Sequence, residues 1–196
     1  TFPAIDSIDA VRHVAVPPSR GIGSTTNSPE LEVMQVVDLV KQHVQEHSSE
    51  SLGVITFGIK HQQRIEAALD EAMRQDPEFE AALSSSPTEP FFVKAIERVQ
   101  GDERDSIILA VGYGKGLDGK LRYFWGPILR DGGERRLNVA ISRAKRRMTL
   151  VTSFSADDLA VDAHPSAGYK LMYHFTRFMA SRGENLRDGN VSSVPL

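Results

Sequence analysis

Ile107-Ile108-Leu109-Ala110-Val111 is apolar at every position. A strand reads this way when both faces of its sheet are covered, whereas alternation marks a strand with one wet face. Around this run, short apolar stretches take turns with amphipathic segments of helix length, which is the order of a mostly parallel sheet layered between helices. Towards the amino terminus, Val11-Arg12-His13-Val14-Ala15-Val16 reads as a strand stopped by Pro17-Pro18, and residues 19–28 form a loop rich in Gly, Ser and Thr. A helix is expected from Pro29 to about residue 47, with Leu31, Met34, Val37 and Val40 at three-residue steps. Gly53-Val54-Ile55-Thr56-Phe57 is a second buried strand, and Ile65, Ala68, Leu69 and Met73 are the apolar face of the next helix, ended by Asp76-Pro77. A short helix over 77–83, a loop at Ser84-Ser85-Ser86-Pro87 and a strand at Phe91-Phe92-Val93 complete that side. Beyond the central run come a Gly-rich excursion over 112–133 and a helix to about residue 145. A strand Met148-Thr149-Leu150-Val151-Thr152 and a last helix over about 167–182 follow. The tail after Arg187 has no core pattern, and no internal repeat is visible.

Of the 196 residues, 40% are hydrophobic and 25% charged, and none is Cys. A compact chain of this size buries roughly 70% of its unfolded surface, so it needs no disulfide or structural metal, and thiolate metal sites are excluded. No apolar run approaches the roughly 20 residues that span a bilayer, and the start has no basic flank before an apolar stretch. We therefore expect a soluble, intracellular (cytoplasmic) chain without a membrane partner. It begins at Thr1 without Met, which leads us to expect a piece of a larger protein. The net charge of −3 advertises no polyanion partner. Locally, Arg122, Arg130, Arg135, Arg136, Arg143, Lys145, Arg146 and Arg147 face only Asp131 and Glu134 over 122–147; a solvated basic face would also read so.

A complete nucleotide site is missing, because no G-x-x-x-x-G-K-[ST] occurs and Gly112-Tyr113-Gly114-Lys115-Gly116 lacks its spacing. No G-x-S-x-G is present, and His43 and His47, at helical i,i+4 spacing without a third ligand, read as a solvated helix face. No metal site is expected. Two segments stand out. Val99-Gln100-Gly101-Asp102-Glu103-Arg104-Asp105 is a polar turn wedged between apolar strands, at strand termini, where open α/β sheets place ligands; an ion-paired β-turn would look the same. In the basic helix, Leu137, Ile141 and Ala144 form one stripe and Arg136, Ala140 and Arg143 the next, so Arg143 projects from the rim of a buried face. A guanidinium there either meets an anion, snorkels over the core edge or pairs with a carboxylate such as Glu103.

Together these segments resemble motifs V and VI of superfamily 1 helicases, in the Upf-like and Dna-like 5′-to-3′ branch. Residues 99–109 match V-Q-G-x-E-x-D-x-I-I-L, and Arg136-Leu137-Asn138-Val139-Ala140-Ile141-Ser142-Arg143-Ala144-Lys145 matches R-L-N-V-A-[LI]-[ST]-R-A-[KR]. In the same order, Thr26-Asn27-Ser28-Pro29-Glu30 resembles the N-x-x-E that opens the domain's first helix. Gly53-Val54-Ile55-Thr56-Phe57 resembles the strand and turn of motif IV, which a Gln usually follows; His61, Gln62 and Gln63 stand there.

The resemblance implies a RecA-like three-layer second motor domain over 1–160, with a helical extension and tail over 161–196. It implies a composite site in which ATP with Mg²⁺ is bound mainly by a first RecA-like domain that this sequence lacks. Arg143 would then be the catalytic arginine finger, Gly101 would let the backbone approach the phosphates, and Glu103 would hold the ribose hydroxyls. Gln100 and Arg136 would support the nucleotide. Thr56, Lys94 and Ala95 would touch the backbone of a single strand of DNA or RNA, although Thr56 could equally cap its own turn. Tyr123 and Trp125 could stack bases or anchor their loop. Alone, the chain should hydrolyse nothing. The alternatives are a non-motor nucleic-acid binding or scaffolding module that keeps the fold, and a helicase module serving a nuclease.

Overall fold

In the computed structural model the all-apolar run forms most of β4 (Arg104–Ala110), the middle strand of five. The structure describes residues 10–18, 27–85, 89–115 and 118–181. Thr26, most of the 19–28 loop, Gly116, Arg182 and the tail after Arg187 lie outside the described residues. With β1 (Val11–Ala15), β2 (Leu52–Thr56), β3 (Phe92–Ala95) and β5 (Ala144–Thr152), β4 builds one sheet in the order β1-β5-β4-β2-β3. Every pairing in it is parallel.

Helices α1 (Glu30–Glu46), α2 (Ile59–Gln75) and α3 (Pro77–Ser84) cover one face; α4 (Gly133–Ile141) and α5 (Ala167–Ala180) cover the other. The two cores explain the composition of β4: Ile107 and Leu109 pack towards α4 and α5, Ile108 and Ala110 towards α1 and α2. The expected α/β three-layer architecture is therefore present, with a wholly parallel sheet. Asp76-Pro77 serves two helices, since Asp76 ends α2 and its side chain accepts from Phe79 N at 3.0 Å to cap α3. Helix α5 contributes Tyr169, Met172, Phe175 and Met179 to the same core as the sheet.

Three expectations need correction. The buried face of α1 is Glu32, Val33, Val36, Leu39, Val40 and His43, while Met34 is 54% exposed. Uniform three-residue steps drift about 60° each around a helix, so only alternating three- and four-residue steps stay on one face. His43 is accordingly no solvated residue: it is buried, with its Nε2 bonded to Glu50 O at 2.9 Å.

The basic helix ends at Ile141, and β5 begins at Ala144, not at Met148. Lys145, Arg146 and Arg147 are strand residues, and Ala144 is a β-sheet partner of Arg104 rather than part of a helical stripe. Their charges are spent on distant carboxylates: Lys145 on Glu89 at 2.9 Å, Arg147 on Glu50 at 3.0 Å, and Arg146 on Asp105 at 3.5 Å.

Candidate functional site

The 99–105 turn and the end of α4, far apart in sequence, meet at the amino ends of β4 and β5. Arg104 faces Ala144 across the two strands, and Arg104 N donates to Arg143 O at 3.0 Å. The turn thus sits at strand termini, but at the edge opposite the carboxyl ends where open α/β sheets usually hold ligands. Gly101 has φ +90, a conformation favouring glycine, and nothing lies within 4 Å of where its Cβ would be. Gln100 and Gly101 are both exposed, and Asp102 N closes the turn on Val99 O at 3.3 Å.

Arg143 stands in the turn after α4. Its Nε donates to Val139 O at 3.0 Å and its Nη2 to Ser142 Oγ at 2.9 Å. Its Nη1 lies 3.8 Å from Glu103 Oε1; the Arg143 side chain is 17% exposed and that of Glu103 52%. A pair so long and so open to water is worth at most about 1 kcal/mol. The guanidinium is therefore positioned by backbone and Ser142, with one arm held only by a carboxylate that an approaching anion could displace.

Arg104, to which no role was assigned from sequence, organises this corner. It is 7% exposed, donates through Nε and Nη2 to Pro90 O at 3.1 and 2.6 Å and through Nη1 to Glu103 O at 2.6 Å, and lies 4.8 Å above the Phe92 ring. The signal in the sequence was an Arg at the mouth of a strand whose remaining length, from Ile107, is apolar.

Arg136 is not at the corner. It lies two turns back along α4, where its Nη1 donates to Asp131 O at 2.9 Å and to Pro127 O at 3.3 Å, tying down the Gly-rich excursion. Thr56 and Ala95 are paired at the carboxyl ends of β2 and β3. Thr56 is buried and its hydroxyl donates to Gly58 O at 3.1 Å, the turn cap that sequence had offered as the other reading; Ala95 N donates to Gln62 Oε1 at 3.0 Å. Gln62 is thus the glutamine that supports this strand end. Lys94 leans back towards the amino-edge turn and pairs with Asp102 at 2.7 Å.

At the carboxyl edge a buried polar network went unseen in the sequence. Ser28, at φ 64, exchanges a hydrogen bond of 2.9 Å with His61 Nδ1; His61 Nε2 lies 3.4 Å from Glu32, whose carboxylate accepts from Gly112 N at 2.7 Å. Arg64 adds bonds to Ser28 O and to Glu30. Trp125 is buried, stacked on Phe154 and Tyr169, and Tyr123 packs edge-on against Trp125 and Tyr169, so both anchor the loop. Burial raises the Tyr113 and Tyr169 hydroxyls above their ordinary range. Among the described residues no group of three or more His, Asp or Glu side chains is placed to hold a metal ion, and no helix is long and apolar enough to cross a membrane.

Comparison with known proteins adds to this geometry. The model of the AAA_12 family, an AAA domain, matches residues 11–155. An uncharacterized ATP-dependent helicase, MG140, of Mycoplasma genitalium is 37% identical over 139 residues, 69% of this chain and 12% of that protein. Its homologue in Mycoplasma pneumoniae is 35% identical over 159 residues, 79% of this chain and 14% of that protein. The chain thus spans about an eighth of the length of these curated relatives. The crystal structure of the C-terminal domain of a possible DNA helicase from Lactobacillus plantarum superposes with a TM-score of 0.44 at 19% identity, covering 74% of each chain.

Proposed function

The chain belongs to the AAA_12 family of AAA domains, and from that premise we propose that it is the second motor domain of an ATP-dependent superfamily 1 helicase or translocase. The observation that carries the reading is the amino-edge corner, where an open positive-φ glycine, a half-exposed carboxylate and a guanidinium with one loosely held arm converge. This corner is half a site. Nothing in it resembles a phosphate loop, so ATP with Mg²⁺ would be held mainly by another domain of the parent protein.

Gly101 fits close backbone approach to the phosphates because no Cβ intervenes. Glu103 is exposed enough to accept from ribose hydroxyls, and Gln100 flanks the same turn. Arg143 would release its Glu103 contact and place Nη1 against the γ-phosphate, stabilising charge in the transition state; such groups are worth roughly 10³ to 10⁵ in rate. Arg136 would support the nucleotide less directly, by holding the excursion that precedes α4. A single strand of DNA or RNA would lie at the opposite, carboxyl edge, near Thr56 and Ala95, and Lys94 would have to leave Asp102 to reach it. Residues 96–103 join that edge to the nucleotide turn directly, which would couple closure over ATP to movement of the strand. Hydrolysis would require the partner domain, so the chain alone would be inactive.

A non-motor binding module is the second reading, favoured by the bonds that keep Arg143 on Val139 and Ser142. Arg143→Ala in the parent protein separates the two. A motor loses strand-stimulated ATP hydrolysis by at least about 10³-fold while still binding nucleotide; unchanged hydrolysis, or no hydrolysis in the wild type, refutes the motor.

A further inference from the structure

Phe124 is 68% exposed between two aromatic neighbours that are packed inward. Trp125 is fully buried and Tyr123 is wedged against Trp125 and Tyr169, so the backbone on either side of Phe124 is anchored in the core. Phe124 N donates to Arg122 O at 3.0 Å, and Phe124 O accepts from Gly126 N at 2.7 Å. A flat apolar ring is thus displayed from a rigid mount, at the expense of the roughly 1.5–3 kcal/mol that burying it would yield.

The loop's place in the fold is equally specific. The Tyr113 hydroxyl lies 3.0 Å from the Cβ position of Gly126 and 2.9 Å from that of Gly58, so the Phe124 loop abuts the turn after Thr56 at the carboxyl edge. Ile59, the next residue of that turn, is also exposed. Charge complements the rings: the excursion over 112–133 carries Lys115, Lys120, Arg122 and Arg130 against Asp118 and Asp131. Lys115 pairs with Asp158 and Arg122 with Asp118, while Lys120 and Arg130 are exposed.

We propose that Phe124 is a stacking platform for one unpaired base of a single-stranded nucleic acid at the carboxyl edge, with the exposed Lys120 and Arg130 of the same loop available to neighbouring phosphates. An aromatic face on a loop that also carries exposed cations suits a strand bound without regard to sequence, because every base has a π-face and every nucleotide a phosphate. The proposal rests on the motor reading above, and it moves the base contact from Tyr123 and Trp125, which are committed to the core, to the residue between them.

The test uses the full-length parent protein, a fluorescent 20-nucleotide oligo-dT, and an abasic strand of the same length. Phe124→Ala is expected to weaken oligo-dT binding about 5- to 150-fold, the range of one base stack, and to leave abasic-strand binding unchanged. Phe124→Trp should retain affinity, and its emission should be quenched when oligo-dT binds. Equal oligo-dT affinity for wild type and Phe124→Ala, or an equal loss on both strands, overturns the stacking role. An unquenched, blue-shifted Phe124→Trp signal overturns it in favour of a protein segment covering the ring. If the wild type binds neither strand, the motor reading itself fails and takes this proposal with it.

Discussion

Arg104→Met keeps the aliphatic stem of a buried side chain and deletes its donors, so its effect on stability can be worked from the contacts. Two carbonyls lose a charge-assisted partner: Pro90 O, which accepts twice, and Glu103 O. Counting each carbonyl once at about 1.5 kcal/mol and the Phe92 stacking at about 0.5–1 kcal/mol gives a loss of about 3.5–4 kcal/mol. Both carbonyls lie near the surface and can recruit water, which places the expected value at about 2–4 kcal/mol. For a domain of this size that is a fall in Tm of roughly 4–16 °C. Urea titration of the chain should show a lower midpoint at unchanged slope, the sign of altered stability without altered compactness. Arg104→Lys should recover only part of the loss, because one ammonium cannot span Pro90 O and Glu103 O as a planar fork does. A Met variant within about 0.5 kcal/mol of wild type, inside the scatter of ordinary surface substitutions, would show that Arg104 does not organise the corner.

Gly168→Ala should destabilise by about 1–3 kcal/mol, because the new Cβ would be driven into the Ile128 carbonyl where α5 crosses the turn before α4; a calorimetric Tm equal to wild type would contradict that close approach. Burial lowers His13 and His43 below the ordinary value of 6.5. The folded chain therefore binds fewer protons than the unfolded chain, so the stability they contribute is present above about pH 6.5 and is lost as pH falls through their depressed values. Denaturation series over that window should flatten in a His13→Asn, His43→Gln double variant, and an unchanged pH slope would refute it. Trp125→Ala should cost about 3–5 kcal/mol by opening the Phe154–Tyr169 stack, a loss that an exposed base platform would not show.

The layers were legible because they follow from composition: an apolar run such as 107–111 can exist only with both faces covered. The corner was legible only as a resemblance, since nothing in the spacing of Gly101, Glu103 and Arg143 requires them to meet; the parallel register of β4 and β5 brings them together. What escaped was decided by distant partners. Lys145 looks helical, and Arg146 and Arg147 read with it as a solvated basic run, until Glu50, Glu89 and Asp105 are placed beside them. His43 looks exposed until the Glu50 carbonyl folds back on it, and nothing in the spacing of Ser28, Glu32 and His61 requires them to meet. The α1 stripe failed for a local reason, the drift of uniform three-residue spacing.

If Arg143 serves the transition state of a nucleotide held by another domain, its removal must separate two affinities of the full-length parent protein, one for ADP–aluminium fluoride and one for ATP with Mg²⁺, measured in wild type and Arg143→Ala. The variant should lose tight binding of the transition-state mimic, by roughly the 10³-fold that separates ground and transition states for such a group, and keep its ATP affinity. Equal mimic affinity in both proteins would contradict it.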